Sequence, residues 1–594
     1  MTGRRVLAAV VAMATITFAA ALGTARAAGA TDSTVTYQVN AAHTGAISGD
    51  TLTTPLMQAW SRNLGGEPEY PLIANGMVYV VAGSVSQSSL YALDEHTGNT
   101  VWSQPVTGSY HFALIAYDAG KVFAVNHDGL ATAYDATTGA TLWSAQLPGE
   151  SSFTSPPAAS NGVLYDGGAG TGGLVYAVRE TDGSVIWANS VMNGDNSSPT
   201  LSGNGDVYVS YTCPQTYDFS QTSGTPIWHY SGPCEGGGGN TSVLYNGSLY
   251  VVDQVSTPKG YVFNATTGGT PLSRFDGSAL PAFSGSEGVF LSGSTYSTGG
   301  TLRGQDLTTG NSLWSFTGDG NVFSTPLIVN STVYAASMSG TVYALDLASG
   351  QQKWSGSVGT TITPPGNGYN YGMGAGDGYL AVPTSTGLTV FTTMAPSTLK
   401  GTTAGATEGN LFSAAVATFT DPGGNGTGYS ATIGWGDGAS SAGTITASGS
   451  GTYTVTGSHT YSEEGSYTAT TTVSGLANPP NPPSATSAIA VSDAAISAQG
   501  TSVTGTARTG INYTVASFTD SDPGCAASDY TVSISWGDGT SSKGTATASA
   551  TLCTFAASGQ HTYAKAGTYT IAATITDAGG ARTSASSTAT VRNH

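Results

Sequence analysis

Short runs in which apolar and polar residues alternate, broken by Gly, Asn, Asp and Ser, recur along the chain, and this period of two predicts β-strands rather than helices. An apolar-aromatic pair marks one strand at regular intervals: Val78-Tyr79, Val122-Phe123, Leu164-Tyr165, Val207-Tyr208, Leu249-Tyr250, Val289-Phe290 and Val333-Tyr334, 40 to 44 residues apart. A second phrase keeps step with it, an alternating strand, a polar turn, Thr-Gly or a close variant, then Trp four residues after the Gly. Copies carry Gly98 with Trp102, Gly139 with Trp143, Gly183 with Trp187, Gly224 with Trp228, Gly268 with Leu272 in place of Trp, Gly310 with Trp314 and Gly350 with Trp354. Two orphans remain, Trp60 with no preceding Thr-Gly and the strand Leu388 to Phe391 with no Trp after it. Joined, they make an eighth unit that closes a ring and hides the sheet edges a linear array would leave open. In each copy Asp or Asn closes the turn, Gly takes a positive φ, and Trp packs between neighbours.

The phrase A-x-D-x-x-T-G-x-x-x-W resembles the repeat of quinoprotein alcohol dehydrogenase-like (PQQ-like repeat) β-propellers, over about residues 37–394. That resemblance implies an eight-bladed propeller in a superfamily that holds enzymes with pyrroloquinoline quinone and non-enzymatic members, including outer-membrane assembly scaffolds and sensor domains. After residue 394 the period lengthens to about 100 residues and two halves align. Phe419-Thr420-Asp421 matches Phe518-Thr519-Asp520, Trp435-Gly436-Asp437-Gly438 matches Trp536-Gly537-Asp538-Gly539, and His459-Thr460-Tyr461 matches His561-Thr562-Tyr563. These motifs resemble PKD modules, which implies two immunoglobulin-like sandwiches. The expected fold is all-β: signal peptide 1–27, propeller 28–394, PKD-like sandwiches 395–493 and 494–594. The aspartates and histidines of the repeated motifs are read as turn and core residues, and no metal site is assigned.

Composition adds a compartment. Arg4 and Arg5, the apolar stretch Val6 to Leu22 and Ala25-Arg26-Ala27 form an export signal, of the Sec or the twin-arginine type. Its removal takes three arginines and no acid, so the formal charge of −19 becomes −22, which excludes nucleic acid and anionic lipid as partners. No second long apolar run follows, so no membrane insertion is expected. Only 9% of residues are charged, and 9 Trp, 30 Tyr and 16 Phe at regular intervals supply a core that a disordered chain lacks. Four cysteines in an exported chain predict two local disulfides, Cys213 with Cys234 and Cys525 with Cys553.

Candidate chemistry is sparse. No G-x-S-x-G, H-E-x-x-H or phosphate loop occurs, and the adjacent cysteines used by the resembling dehydrogenases are missing, so neither a catalytic residue nor a cofactor is assigned and a quinone-dependent dehydrogenase is disfavoured. A ligand site is expected at the central funnel, where each inner strand begins. Counting back from the second-strand markers places Tyr70, His111, Ser155, Ser198, Thr241, Thr325 and Tyr371 near that rim, and Tyr369 and Asn370 join Tyr371 in a cluster that Gly366, Gly368 and Gly372 leave free to approach a ligand. Aromatic and hydroxyl groups together suit sugar or peptide contacts. The expectation is a secreted or loosely surface-associated monomer, a non-enzymatic binding or adhesion protein whose partner is extracellular polysaccharide, cell-wall material or protein, with the sandwiches as spacers or attachment modules. Two alternatives stay open: a polysaccharide-active enzyme, marked by an acidic pair at the funnel, and a protein-assembly scaffold, marked by exposed apolar surface.

Overall fold

The computed structural model describes residues 32–593, except 85, 193, 195, 212, 233–239, 253–259, 295–297, 363–370, 425 and 450. The expected export signal, residues 1–27, lies outside the described residues. The chain divides into two compact units, Met1–Thr393 and Met394–His594.

The first unit is a ring of eight antiparallel sheets. One blade shows the plan: Leu72–Ala74 innermost, then Met77–Ser84, Gln87–Asp94 and Thr100–Pro105 outermost. The closing blade takes Gly374–Gly376, Tyr379–Pro383 and Gly387–Thr393 from one end of the propeller sequence and its outer strand, Leu56–Asn63, from the other. The two orphan segments thus pair as the repeat predicts, with Trp60 opposite Val390.

The Trp of the repeat acts between blades. Trp102 Nε1 donates to Ala136 O of the next blade at 2.9 Å, and the same bond recurs from Trp60 to Glu95 O at 2.7 Å, Trp143 to Glu180 O at 2.7 Å, Trp187 to Gln221 O at 2.9 Å, Trp228 to Ala265 O at 2.9 Å and Trp314 to Leu347 O at 2.6 Å. Each ring lies on the turn glycine of that next blade. A Cβ on Gly139, whose φ is +70°, would come within 2.6 Å of the Trp102 ring, so the motif needs Gly there for both conformation and room. At the one position where Leu272 replaces Trp, the side chain is 64% exposed.

A feature with no repeat signature completes the ring. Residues 32–50 run as a strap against the inner strands of successive blades. Asp32 O accepts from Asp377 N, Thr34 pairs with Ile73, Val35 O accepts from Tyr117 N, and Thr36 Oγ1 donates to Pro157 O. The carbonyls of Ala41, Ala42, Thr44 and Gly45 then accept from the amides of Leu201, Leu244, Phe283 and Ile328. Tyr37, Val39 and His43 of the strap are buried in this part of the channel.

The second unit holds two β-sandwich modules, each an eight-stranded arrangement of the same order, spanning Thr398–Gly401 to Ser484–Ser492 and Ile496–Gly500 to Arg582–Arg592. Trp435 and Trp536 are fully buried, each stacked on its histidine, and His459 and His561 pair with Asp437 and Asp538 at 2.6 and 2.9 Å. Asp421 accepts from Ser397 Oγ, Tyr429 OH and Ala477 N, which makes it an organiser of loops. Cys525 and Cys553 form the expected disulfide. Cys213 is disulfide-bonded, and its expected partner Cys234 lies outside the described residues.

Candidate functional site

Inner strands begin on one face of the ring, where the connectors between blades also lie. On this face, over the first two blades, is a cavity of about 480 Å³. Its apolar lining includes Val81, Ala82, Pro68 and Phe112, and its polar lining includes Glu67, Glu69, His111, His127 and the hydroxyl residues Ser84, Ser88, Tyr110 and Thr154.

The two acids are placed by a short added strand. Glu67–Pro68 pairs antiparallel with Met77–Ser84, Glu67 opposite Gly83 and Pro68 opposite Ala82, and Glu69 N donates to Val81 O at 2.9 Å. The backbones meet so closely that a Cβ on Gly66 would lie 1.9 Å from Gly83 O, so no other residue fits there without moving the pair. In an extended segment residues two apart share a face, which puts Glu67 and Glu69 side by side. Glu69 Oε2 is buried and has no hydrogen-bond partner among the described residues. Burial, with a smaller contribution from Glu67, pushes the Glu69 carboxyl up to about 8, and burial also raises Glu67. At neutral pH Glu69 is therefore mostly protonated.

The opposite wall is a tight turn, Ser109–His111, in which Tyr110 and His111 hold positive φ values of 63° and 47°. Such values are costly for non-glycine residues and persist because the surroundings hold them. Here Ser109 N donates to Asp128 Oδ2 at 2.7 Å, Ser88 Oγ donates to His111 O, and His111 Nδ1 faces Val106 O at 2.9 Å. The turn projects Tyr110 outward, 63% exposed, with its ring edge-on to His127 at 4.8 Å.

Of the rim residues expected from sequence, His111 lines this cavity. Tyr70 is buried, its hydroxyl donating to Ile115 O at 2.7 Å and accepting from Ile115 N. Ser155 Oγ accepts from Ser197 N, Thr241 Oγ1 accepts from Ser198 N, and Thr325 Oγ1 donates to Tyr371 O. Tyr371 OH donates to Pro383 O at 3.1 Å. These groups tie blade to blade or strand to strand, while Tyr369 and Asn370 lie outside the described residues. Sequence reasoning stopped one residue short of the acidic pair. A signal existed: in a chain with only 35 acidic residues, Glu67 and Glu69 flank a proline just before the first inner strand, away from any repeat turn.

Elsewhere the propeller exposes single aliphatic residues on its outer strands, including Val101, Leu142, Ile227 and Leu313. These four stand on separate blades, while Val185 and Ile186 are adjacent on one outer strand, and scattered apolar residues of this kind are ordinary on protein surfaces.

A family model described as outer membrane protein assembly factor BamB matches residues 57–151, 127–270 and 258–393, more than half the chain. Among curated proteins, an outer membrane protein assembly factor BamB of Moranella endobia is 26% identical over 277 residues, 45% of this chain and 63% of the relative. A tetrathionate hydrolase of Acidithiobacillus ferrooxidans is 22% identical over 290 residues, 41% of this chain and 57% of that protein. The dehydrogenase subunit of a quinone alcohol dehydrogenase of Gluconobacter oxydans is 30% identical over 185 residues, 27% and 24% of the two chains. The chain thus spans less than two thirds of the length of these relatives. Solved structures include a europium-containing methanol dehydrogenase, with TM-score 0.48, 15% identity and coverage of 61% of this chain and 91% of that one. BamB from Moraxella catarrhalis follows at TM-score 0.44 and 16% identity, covering 57% and 99%. The relatives named here are assembly factors and enzymes, and none is an adhesin. The expectation of a non-enzymatic binding or adhesion protein is corrected accordingly, because an architecture of propeller plus sandwiches does not by itself specify adhesion.

Proposed function

The chain belongs to the family described as outer membrane protein assembly factor BamB, and from that premise we propose that its propeller is an assembly scaffold that docks a protein partner outside the cytoplasm. One observation carries the reading: the largely apolar cavity beside the exposed, conformationally held Tyr110, an arrangement suited to gripping a protruding segment of another protein. The export signal at residues 1–27 and the Cys525–Cys553 disulfide support an oxidising compartment.

The test is site-specific photo-crosslinking in the producing cell. A crosslinker at Tyr110 should give a discrete protein adduct, and one at Thr97, in an exposed turn at the far end of the blade, should not. Equal labelling from both positions, or none from Tyr110, would sink the scaffold reading.

A second reading has its own observation. A protonated Glu69 beside Glu67 is the acidic pair that hydrolytic chemistry would use, Glu69 as general acid and Glu67 as its carboxylate partner. Release of soluble sugar from extracellular polysaccharide, abolished in Glu69→Gln, would favour a polysaccharide-active enzyme over the scaffold.

A further inference from the structure

Resting on the scaffold reading, we propose that the cavity selects a lysine or arginine side chain of the partner, its aliphatic stem along Val81, Ala82 and Phe112 and its cationic head against Glu69 and Glu67.

Three observations converge on this ligand. First, Glu69 lines the cavity, and its buried Oε2 has no hydrogen-bond partner among the described residues. Second, neither Lys nor Arg lines the cavity, so two carboxyl groups meet there without a resident counter-charge of fixed sign. Of the two histidines, His111 bonds Val106 O through Nδ1, while His127 lies 3.5 Å from Asp128 Oδ1 and 3.3 Å from Ser152 Oγ. Third, the walls leading to the acids are apolar and long enough to cover a methylene stem, and long basic side chains bury stem and head in just this division. A wholly apolar ligand would leave the two carboxyl groups without a polar partner, and an acidic ligand would meet two carboxyls.

The proton bookkeeping is simple. Free, Glu69 holds its proton, because burial and Glu67 disfavour the carboxylate. An ammonium or guanidinium beside it favours the carboxylate, so binding releases that proton to solvent and strengthens as pH rises toward 8. The groups that face Glu69 are Glu67, His111 and His127 around the cavity and the hydroxyls of Tyr37 and Tyr70 beneath, the last two held neutral throughout by burial.

The experiment is calorimetric titration of the full chain with the capped tripeptides Ala-Lys-Ala and Ala-Arg-Ala against Ala-norleucine-Ala and Ala-Glu-Ala, at pH 6 and pH 8.5. The basic peptides should bind at least about 10-fold more tightly than norleucine, tighten with pH and release a proton. Glu69→Gln should lose that preference, Glu67→Gln should weaken it less, and the thermal midpoint of both variants should show that they are folded. Equal binding of the norleucine peptide, no binding of the basic ones, or an unchanged preference in folded Glu69→Gln would overturn the proposal. Failure of the two readings is separable. Tyr110 adducts that persist without any preference for basic peptides would refute only the ligand class, and selective binding of basic peptides without adducts would refute the scaffold.

Discussion

Replacing Trp102 with Ala tests how the ring is held. The indole is 8% exposed, contacts the rings of Tyr79 and Tyr134 at centroid distances of 6.0 and 6.2 Å, and lies on Gly139 of the next blade. Its hydrogen bond contributes little to the expected loss, because Tyr79 OH donates to the same Ala136 carbonyl at 3.0 Å and keeps that acceptor satisfied. The cost is therefore that of a cavity between two blades, with a glycine on its floor that has no side chain to move in. Burial of this extent puts it at about 3–5 kcal/mol, against about 0–0.5 kcal/mol for Leu142→Ala, whose side chain is 50% exposed on the outer strand of the next blade. Urea unfolding of the full chain followed by far-ultraviolet circular dichroism compares the two, and Trp102→Phe, which keeps most of the ring, should fall between them. If Trp102→Ala unfolds at the same denaturant concentration as Leu142→Ala, the indole is not a clamp and the reading of the repeat is wrong.

The chain also offers the converse experiment. Leu272 stands exposed where the repeat has Trp, space over Gly310 of the next blade is open to about 4 Å, and Leu307 occupies the acceptor position, so Leu272→Trp should raise the unfolding midpoint by about 1 kcal/mol; a fall would mean the missing clamp is not a vacancy. Stability should decline from pH 6.5 to pH 8.5. In the folded chain Glu69, Glu95 and Asp218 are each pushed up to about 8, chiefly by burial, so they keep protons that the unfolded chain has already released, and by linkage the stabilisation present below their unfolded values is lost as pH rises through 8. A thermal midpoint that is flat or rises over this window contradicts those shifts. His43 of the strap is fully buried with Nδ1 2.6 Å from Tyr37 O and Nε2 3.1 Å from Pro199 O, so His43→Ala should cost about 2–4 kcal/mol, and hydrogen exchange should show loss of protection at Leu201 and Leu244, whose amides bond the strap. Unchanged exchange there would show that the strap is held without it.

What was legible in the sequence follows the reach of each interaction. The clamp is written within a short stretch of each copy, nine residues from Asp94 to Trp102 in the first, and its recurrence made the blades and their ring closure readable from one chain. The strap was not legible, because its bonds are backbone carbonyls meeting amides 39 to 345 residues away, as with Thr34 and Ile73 or Asp32 and Asp377, and a carbonyl carries no residue-type signal. The rim residues illustrate the intermediate case. Counting along strands located Tyr70, Ser155, Thr241 and Thr325 near the inner-strand starts, but register alone does not say whether a hydroxyl faces the opening or its neighbour blade. In the structure Ser155 and Thr241 accept amides of the adjacent blade. Glu69 was beyond reach for another reason: its chemistry arises from the Gly66–Gly83 contact and from burial, neither of which appears in the local pattern.

The two ends of the ring are thus built under different constraints. Toward the Thr-Gly turns, clamps join most neighbouring blades, and the strap bonds to the inner strands of successive blades. At the other end the connectors also bond neighbouring blades, as Ser197 N does to Ser155 Oγ, and there the exposed Tyr110 and the Glu67–Glu69 pair line the cavity. The expected separation is sharp. Trp102→Ala should lower the unfolding midpoint while leaving the preference for basic peptides intact in the molecules that remain folded. Glu69→Gln should abolish that preference and leave stability at pH 7 unchanged or raised, since it replaces a buried acid with a neutral isostere.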